Sequence, residues 1–99
     1  MNKVILITGC SSGFGMLTAA KLAAGGHTIY ATMRNLQKQN TLKLELEQRD
    51  TMCQILHLDV TEDKSINKVI DIIETQAGRL DVLINNAGYG IGGFFEDLT

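Results

Sequence analysis

The stretch that decides the fold is Ile7-Thr8-Gly9-Cys10-Ser11-Ser12-Gly13-Phe14-Gly15, ITGCSSGFG. Its three glycines follow a short apolar run and precede a segment rich in alanine and leucine. Two chemistries compete for it. Gly9-Cys10-Ser11-Ser12-Gly13 matches G-x-S-x-G, the sharp strand-to-helix turn that presents a nucleophilic serine. Gly9, Gly13 and Gly15 also spell G-x-x-x-G-x-G, a turn whose bare backbone lets a pyrophosphate lie against a helix N-terminus.

The serine reading makes the sharper demands. A nucleophile elbow needs an acid and a histidine held within hydrogen-bond reach of its serine. His57 falls inside a predicted strand, and His27 sits where a strand begins, away from the end that carries Ser11. The elbow also leaves Gly15 without a role, and it usually comes late in a sheet rather than after the first strand. The phosphate reading uses every residue. Gly9 turns the chain out of the strand, Gly13 lets N–H groups approach a ligand with no Cβ in the way, and Gly15 allows close helix–strand packing. Ser11 and Ser12 add hydroxyl donors beside the positive end of the helix dipole. A glycine-rich turn that holds no ligand is the bland alternative. A Walker loop is excluded, because no Gly-Lys-Ser/Thr follows.

The rest of the chain sets this turn in an alternating pattern. Lys3 to Thr8 carries no charge after Lys3, as expected of a strand buried on both faces. A small-residue helix follows, with Phe14, Leu17, Leu22 and alanines 19, 20, 23 and 24, ending at Gly25-Gly26. Residues 28–32 read as a second strand, 36–49 as a helix with a weak stripe at Leu42 and Leu46, and 53–59 as a third strand. In the next helix Ile66, Val69, Ile70, Ile73 and Ala77 share one face, with Thr61 as N-cap and Gly78 as the stop. Residues 80–84 read as a fourth strand, 89–93 as a loop, and 94–99 as the start of another helix. The order β-α-β-α-β-α-β implies an α/β fold: a parallel, doubly wound sheet with helices on both faces. A fourth strand at the end of such a sheet would leave an unpaired edge. The chain is therefore expected to be the first part, 1–99, of a longer single domain.

Bulk composition narrows the function. Two cysteines, Cys10 and Cys53, make no disulfide scaffold, and no apolar stretch approaches the ~20 residues that span a bilayer. The chain reads as cytoplasmic. A net charge of −2 implies no nucleic-acid or membrane partner. The distribution of charge says more. The first 44 residues hold five bases and no acid, so a small anion is more welcome in that half.

Ligands of such sheets bind beyond the carboxyl ends of the strands, and each of these ends is distinctive. After the second strand, an NAD site usually places an acid about 20 residues past the glycines. Here that position is Thr32, and Arg34 follows, a guanidinium suited to a 2′-phosphate. This favours NADP over NAD, unless Arg34 is a solvated surface charge. Asp59-Val60 ends the third strand, where Asp59 either accepts from an adenine amino group or caps the next helix. Asn85-Asn86-Ala87-Gly88 ends the fourth, with amides that can tie strand ends together and small residues that admit a flat ring.

These residues together resemble the short-chain dehydrogenase/reductase family. Its T-G-x-x-x-G-x-G is Thr8-Gly9-Cys10-Ser11-Ser12-Gly13-Phe14-Gly15, its Asp-Val is Asp59-Val60, and its N-N-A-G is Asn85-Asn86-Ala87-Gly88. ITGCSSGFG and YATMRN look like NADP-using members related to hydroxysteroid and retinol dehydrogenases. The resemblance implies a Rossmann-like fold and hydride transfer between a nicotinamide dinucleotide and an alcohol or carbonyl substrate. Gly9, Ser11, Ser12, Gly13, Phe14 and Gly15 would surround the pyrophosphate and adjoining ribose, Thr32 and Arg34 would face the adenosine 2′-position, and Asp59 and Val60 would touch adenine. Asn86, Ala87 and Gly88 would lie against the ribose on the nicotinamide side. The family's catalytic serine, asparagine and Tyr-x-x-x-Lys fall beyond residue 99. Tyr30 has Arg34 at the fourth place and Tyr89 has Gly93, so neither substitutes and no catalytic residue is assigned. The usual interface helices also lie beyond, so a homo-oligomer is an expectation for a longer protein only. A non-catalytic dinucleotide-binding module is the alternative.

Overall fold

All five residues of the first strand, β1 (Val4–Thr8), are buried, so both of its faces need cover. The computed structural model, which describes residues 2–86, shows how helices supply it. The elements that follow are α1 (Gly13–Ala24), β2 (Thr28–Met33), a 3-10 turn (Leu36–Lys38), α2 (Gln39–Gln48), β3 (Gln54–His57), α3 (Asp63–Ala77) and β4 (Val82–Asn85). The four strands form one parallel sheet in the order β3-β2-β1-β4.

Period-two alternation divides the sheet into two cores. Ile5, Ile7, Ile29, Ala31 and Met33 face one side and pack with Met16, Ala19, Ala20 and Ala23 of α1 and Leu42 and Leu46 of α2. Val4, Leu6, Tyr30 and Leu83 face the other and pack with Ile66, Val69 and Ile73 of α3. The sheet is therefore doubly wound and Rossmann-like. The chain leaves β1 over the α1 face and returns to β4, on the opposite side of β1 from β2, from the α3 face. That reversal opens a crevice between β1 and β4.

Local details differ from expectation for identifiable reasons. Helix α1 starts at Gly13, which puts Gly15, Met16, Ala19, Ala20 and Ala23 inward and leaves Phe14 and Leu17 exposed. The segment after β2 opens as a 3-10 turn because the Asn35 side chain accepts from Gln37 N at 3.0 Å. Thr61 is not the N-cap of α3. That position is Glu62, and the Thr61 hydroxyl donates to Asp59 instead. β4 begins at Val82 rather than residue 80, because Asp81 closes the turn before it: its N–H donates to Val4 O and its carboxylate accepts from Val4 N at 2.8 Å. Gly78, at φ 75°, ends α3 as expected. The loop and helix expected over 89–99 lie outside the described residues.

Candidate functional site

Because the strands are parallel, their carboxyl ends gather at one edge of the sheet. In the order β3, β2, β1, β4 they deliver Asp59, Arg34, the glycine turn and Asn85-Asn86. Bonds between neighbouring strand ends hold the edge together, among them Leu58 N to Met33 O, Cys10 N to Thr32 O, and the Thr8 hydroxyl to Asn85 Oδ1, at 3.0, 2.9 and 2.9 Å.

The glycine turn has the geometry of a cradle. Gly9 (φ 69°) and Gly13 (φ 60°) adopt the left-handed conformation that side chains disfavour. A Cβ on Gly15 would overlap the carbonyl oxygen of Gly9 and the amide nitrogen of Asn86. That close approach lets Asn86 Nδ2 donate to Gly9 O at 3.1 Å, fastening the end of β4 to the turn. At Gly13, by contrast, a Cβ would meet nothing within 4 Å, so the turn is open on its outer side. Ser12 is the N-cap of α1, with extended backbone, and its hydroxyl does not bond the helix. No acid stands in the first turn of α1. The partial positive charge of the helix end is therefore unopposed by its own side chains. A phosphate-bearing group fits the glycine turn: donors, an open face and no acid in the first turn of α1.

Each neighbouring residue has a definite place. The Thr32 hydroxyl, expected to face a ligand, is fully buried and donates to Ile7 O at 2.9 Å. It ties β2 to β1, because the alternation that buries Tyr30 also turns Thr32 inward. Arg34 is exposed, with Nε 3.6 Å from Asp59 Oδ2. Asp59 is largely buried, its Oδ1 accepting from the Thr61 hydroxyl at 2.6 Å and from Thr61 N at 2.9 Å. These bonds, the hydroxyl first, hold its carboxyl below the ordinary carboxylate range, with Arg34 helping. Asp59 thus shapes the turn that leads into α3, and its N–H donates to Ser65 Oγ at 2.8 Å. Val60 is half-buried beside the α3 core. Ser11 is half-buried and Phe14 exposed at the turn; Ala87 and Gly88 lie outside the described residues.

The competing nucleophiles have other duties. Cys10, inside the turn, is buried with Sγ donating to Ile7 O at 3.3 Å, and burial pushes its thiol up to about 12. Burial likewise raises Cys53 to about 11. His27 Nδ1 accepts from Lys3 N at 3.1 Å, at the opposite end of β1 from the serines. His57 stands within β3. Tyr30 is buried in β2 and donates to Gln76 Oε1 at 3.0 Å, which makes it a structural residue. Among the described residues no group of three or more His, Cys, Asp or Glu could hold a metal, and no helix is long and apolar enough to cross a membrane. Grooves along α3 and beside β3 are lined by residues of neither the glycine turn nor the Arg34–Asp59 pair. Sequence reasoning missed the contact of Arg34 with Asp59, and it expected the amides of Asn85 and Asn86 to tie strand ends without naming Gly9 as the partner of Asn86. The partners in these two contacts lie 25 and 77 residues apart, and only the parallel strand order could have signalled them.

Comparison with known proteins bears on the family and the fold. The family model for short chain dehydrogenases matches residues 3–99. The chain is 44% identical over 97 residues to a 3-ketodihydrosphingosine reductase of Bacteroides thetaiotaomicron, covering 98% of this chain and 32% of that protein. It is 40% identical over 101 residues to retinol dehydrogenase 8 of Bos taurus, again covering 98% and 32%. Among solved structures, an actinorhodin polyketide ketoreductase with NADPH superposes with a TM-score of 0.79 and 28% identity over 89% of this chain and 34% of that one. An NAD+-bound xylitol dehydrogenase superposes with a TM-score of 0.76 and 29% identity over 88% and 34%. The chain spans about a third of the length of these proteins. On a match that runs almost end to end, the chain belongs to the short-chain dehydrogenase family.

Proposed function

We propose that residues 1–99 are the N-terminal part of a single Rossmann-like domain that binds NADP(H) in an oxidoreductase acting on an alcohol or carbonyl compound. The observation that carries this is the order of groups along the sheet edge: Asp59 and Arg34, then the open glycine turn, then Asn86. A dinucleotide laid along that edge meets a base, a 2′-phosphate partner and a pyrophosphate cradle in its own chemical order. Gly9, Gly13, Gly15, Ser11 and Ser12 would hold the pyrophosphate, with Phe14 beside it. Arg34 at the end of β2, beyond the inward-turned Thr32, would take the 2′-phosphate. Asp59-Val60 would flank the adenine, and Asn86-Ala87-Gly88 the far ribose. When bound, the cofactor supplies or accepts hydride; the residues named here bind and orient it. The free cysteines, Cys10 buried and Cys53 half-buried, accord with the cytoplasmic location we propose.

Substrate chemistry belongs to the part of the protein beyond this chain, as the varied substrates in the relatives' names suggest. The test of the cofactor reading is Arg34→Glu in the full-length protein. NADPH affinity should fall roughly ten- to a hundredfold, the scale of a charge-assisted bond to phosphate, while NADH affinity barely changes. Equal losses for both cofactors would remove Arg34 from the 2′-phosphate site.

A further inference from the structure

We infer that Asp59 competes with the cofactor's 2′-phosphate for Arg34, so that the Arg34–Asp59 pair limits how strongly this site prefers the phosphorylated dinucleotide. The inference rests on the NADP reading above and assigns Asp59 a role beyond the adenine contact. Three observations carry it.

First, Asp59 is anchored and Arg34 is not. Oδ1 of Asp59 is held by two bonds from Thr61, which leaves Oδ2 directed at the guanidinium. The Arg34 side chain is 80% exposed, whereas that of Asp59 is 11% exposed. The carboxylate is a fixed point to which a mobile cation comes.

Second, the contact is loose. At 3.6 Å from Nε to Oδ2 it is an ion pair, longer than a good charge-assisted hydrogen bond of about 2.7–2.9 Å. A long pair whose cation is this exposed is weak, so a phosphate that offers two or three acceptor oxygens to the same fork can displace it.

Third, among the described residues Asp59 is the acid that pairs with Arg34. The first acid after the glycine turn in sequence is Glu45, which pairs with Arg49 at 3.6 Å on α2. Asp59, just past the end of the neighbouring strand β3, is the carboxylate that reaches the end of β2. An acid on β2 itself would accept from the 2′-hydroxyl and exclude NADP outright. An acid one strand away, bridged to an arginine, tempers the preference instead.

The test uses the full-length protein and two probes, 2′,5′-ADP and 5′-ADP, with binding read by calorimetry. The ratio of their affinities cancels the adenine contact common to both. Asp59→Asn keeps an oxygen for Thr61 and removes the charge, and should raise the 2′,5′-ADP to 5′-ADP ratio by roughly two- to fivefold, the scale of an exposed ion pair. In an Arg34→Gln background the same substitution should leave the ratio unchanged, since the two residues then have no shared contact to lose. An unchanged or lowered ratio in Asp59→Asn overturns the inference. So does a gain that persists undiminished with Arg34 absent, which would mean that the carboxylate acts on the phosphate directly. Should Arg34→Gln leave the wild-type ratio intact, or neither probe bind at all, the NADP reading fails and takes the inference with it. A retained Arg34 effect without the Asp59 effect sinks the inference alone.

Discussion

Gly15→Ala tests the site where fold and function meet. The added Cβ would fall on the Gly9 carbonyl oxygen and on Asn86 Nδ2, with the Gly9 carbonyl carbon also in close contact. Two of these three atoms are backbone, in a turn whose left-handed glycines leave little room to yield. Overpacking of this kind costs about 1–3 kcal/mol. Displacing Asn86 also sacrifices its bond to Gly9 O, for about 1 kcal/mol more. Against this stands the better helix propensity of alanine, worth at most about 1 kcal/mol. The net expectation is a loss of about 1–3 kcal/mol. Gly13→Ala separates strain from overlap, because Gly13 has a positive φ but an open surround. It should cost only about 1 kcal/mol, from the left-handed conformation. Urea unfolding of the full-length variants measures both, and 5′-ADP titration should show weakened binding in Gly15→Ala, whose turn must move. A Gly15→Ala protein as stable as wild type would refute the close packing of α1, β1 and the end of β4 described here.

Two further outcomes follow from the charges and thiols. Burial keeps Cys10 and Cys53 as thiols, pushed up to about 12 and about 11, so at pH 8 the native protein should react with a disulfide reagent roughly a hundredfold or more slower than the unfolded chain. Fast native labelling would contradict the burial. Asp59 is held below the ordinary carboxylate range by Thr61, and Asp81 by the Val4 N–H and then by Arg79. Both bind a proton at lower pH folded than unfolded, so their contribution to stability is complete above about pH 4 and is lost as the pH falls below it. Asp81→Asn should flatten the acid limb of the stability profile, and an unaltered limb would show that the carboxylate does not carry that dependence.

The sequence by itself determined the α/β alternation, the glycine turn from β1 into α1 and the family. All three are local: unbroken apolar runs mark buried parallel strands, periodicity marks α3, and positive-φ turns demand glycine at Gly9 and Gly13. Even the failure of the serine reading was legible, since His57 lies within an extended segment. Tertiary structure decided what depends on neighbours far apart in the chain. It turned Thr32 into the sheet, because the pleat that buries Tyr30 on one core leaves Thr32 beside the β1 backbone. It pointed Phe14 outward, because α1 starts at Gly13 and its buried face runs through Met16 and Ala19. It moved the N-cap of α3 from Thr61 to Glu62, because the Asp59 carboxylate claims the Thr61 hydroxyl. And it set the bare Cα of Gly15 against Gly9 and Asn86, and Arg34 against Asp59. Sequence spacing cannot announce such pairs; they exist because parallel strands bring their carboxyl ends to one edge.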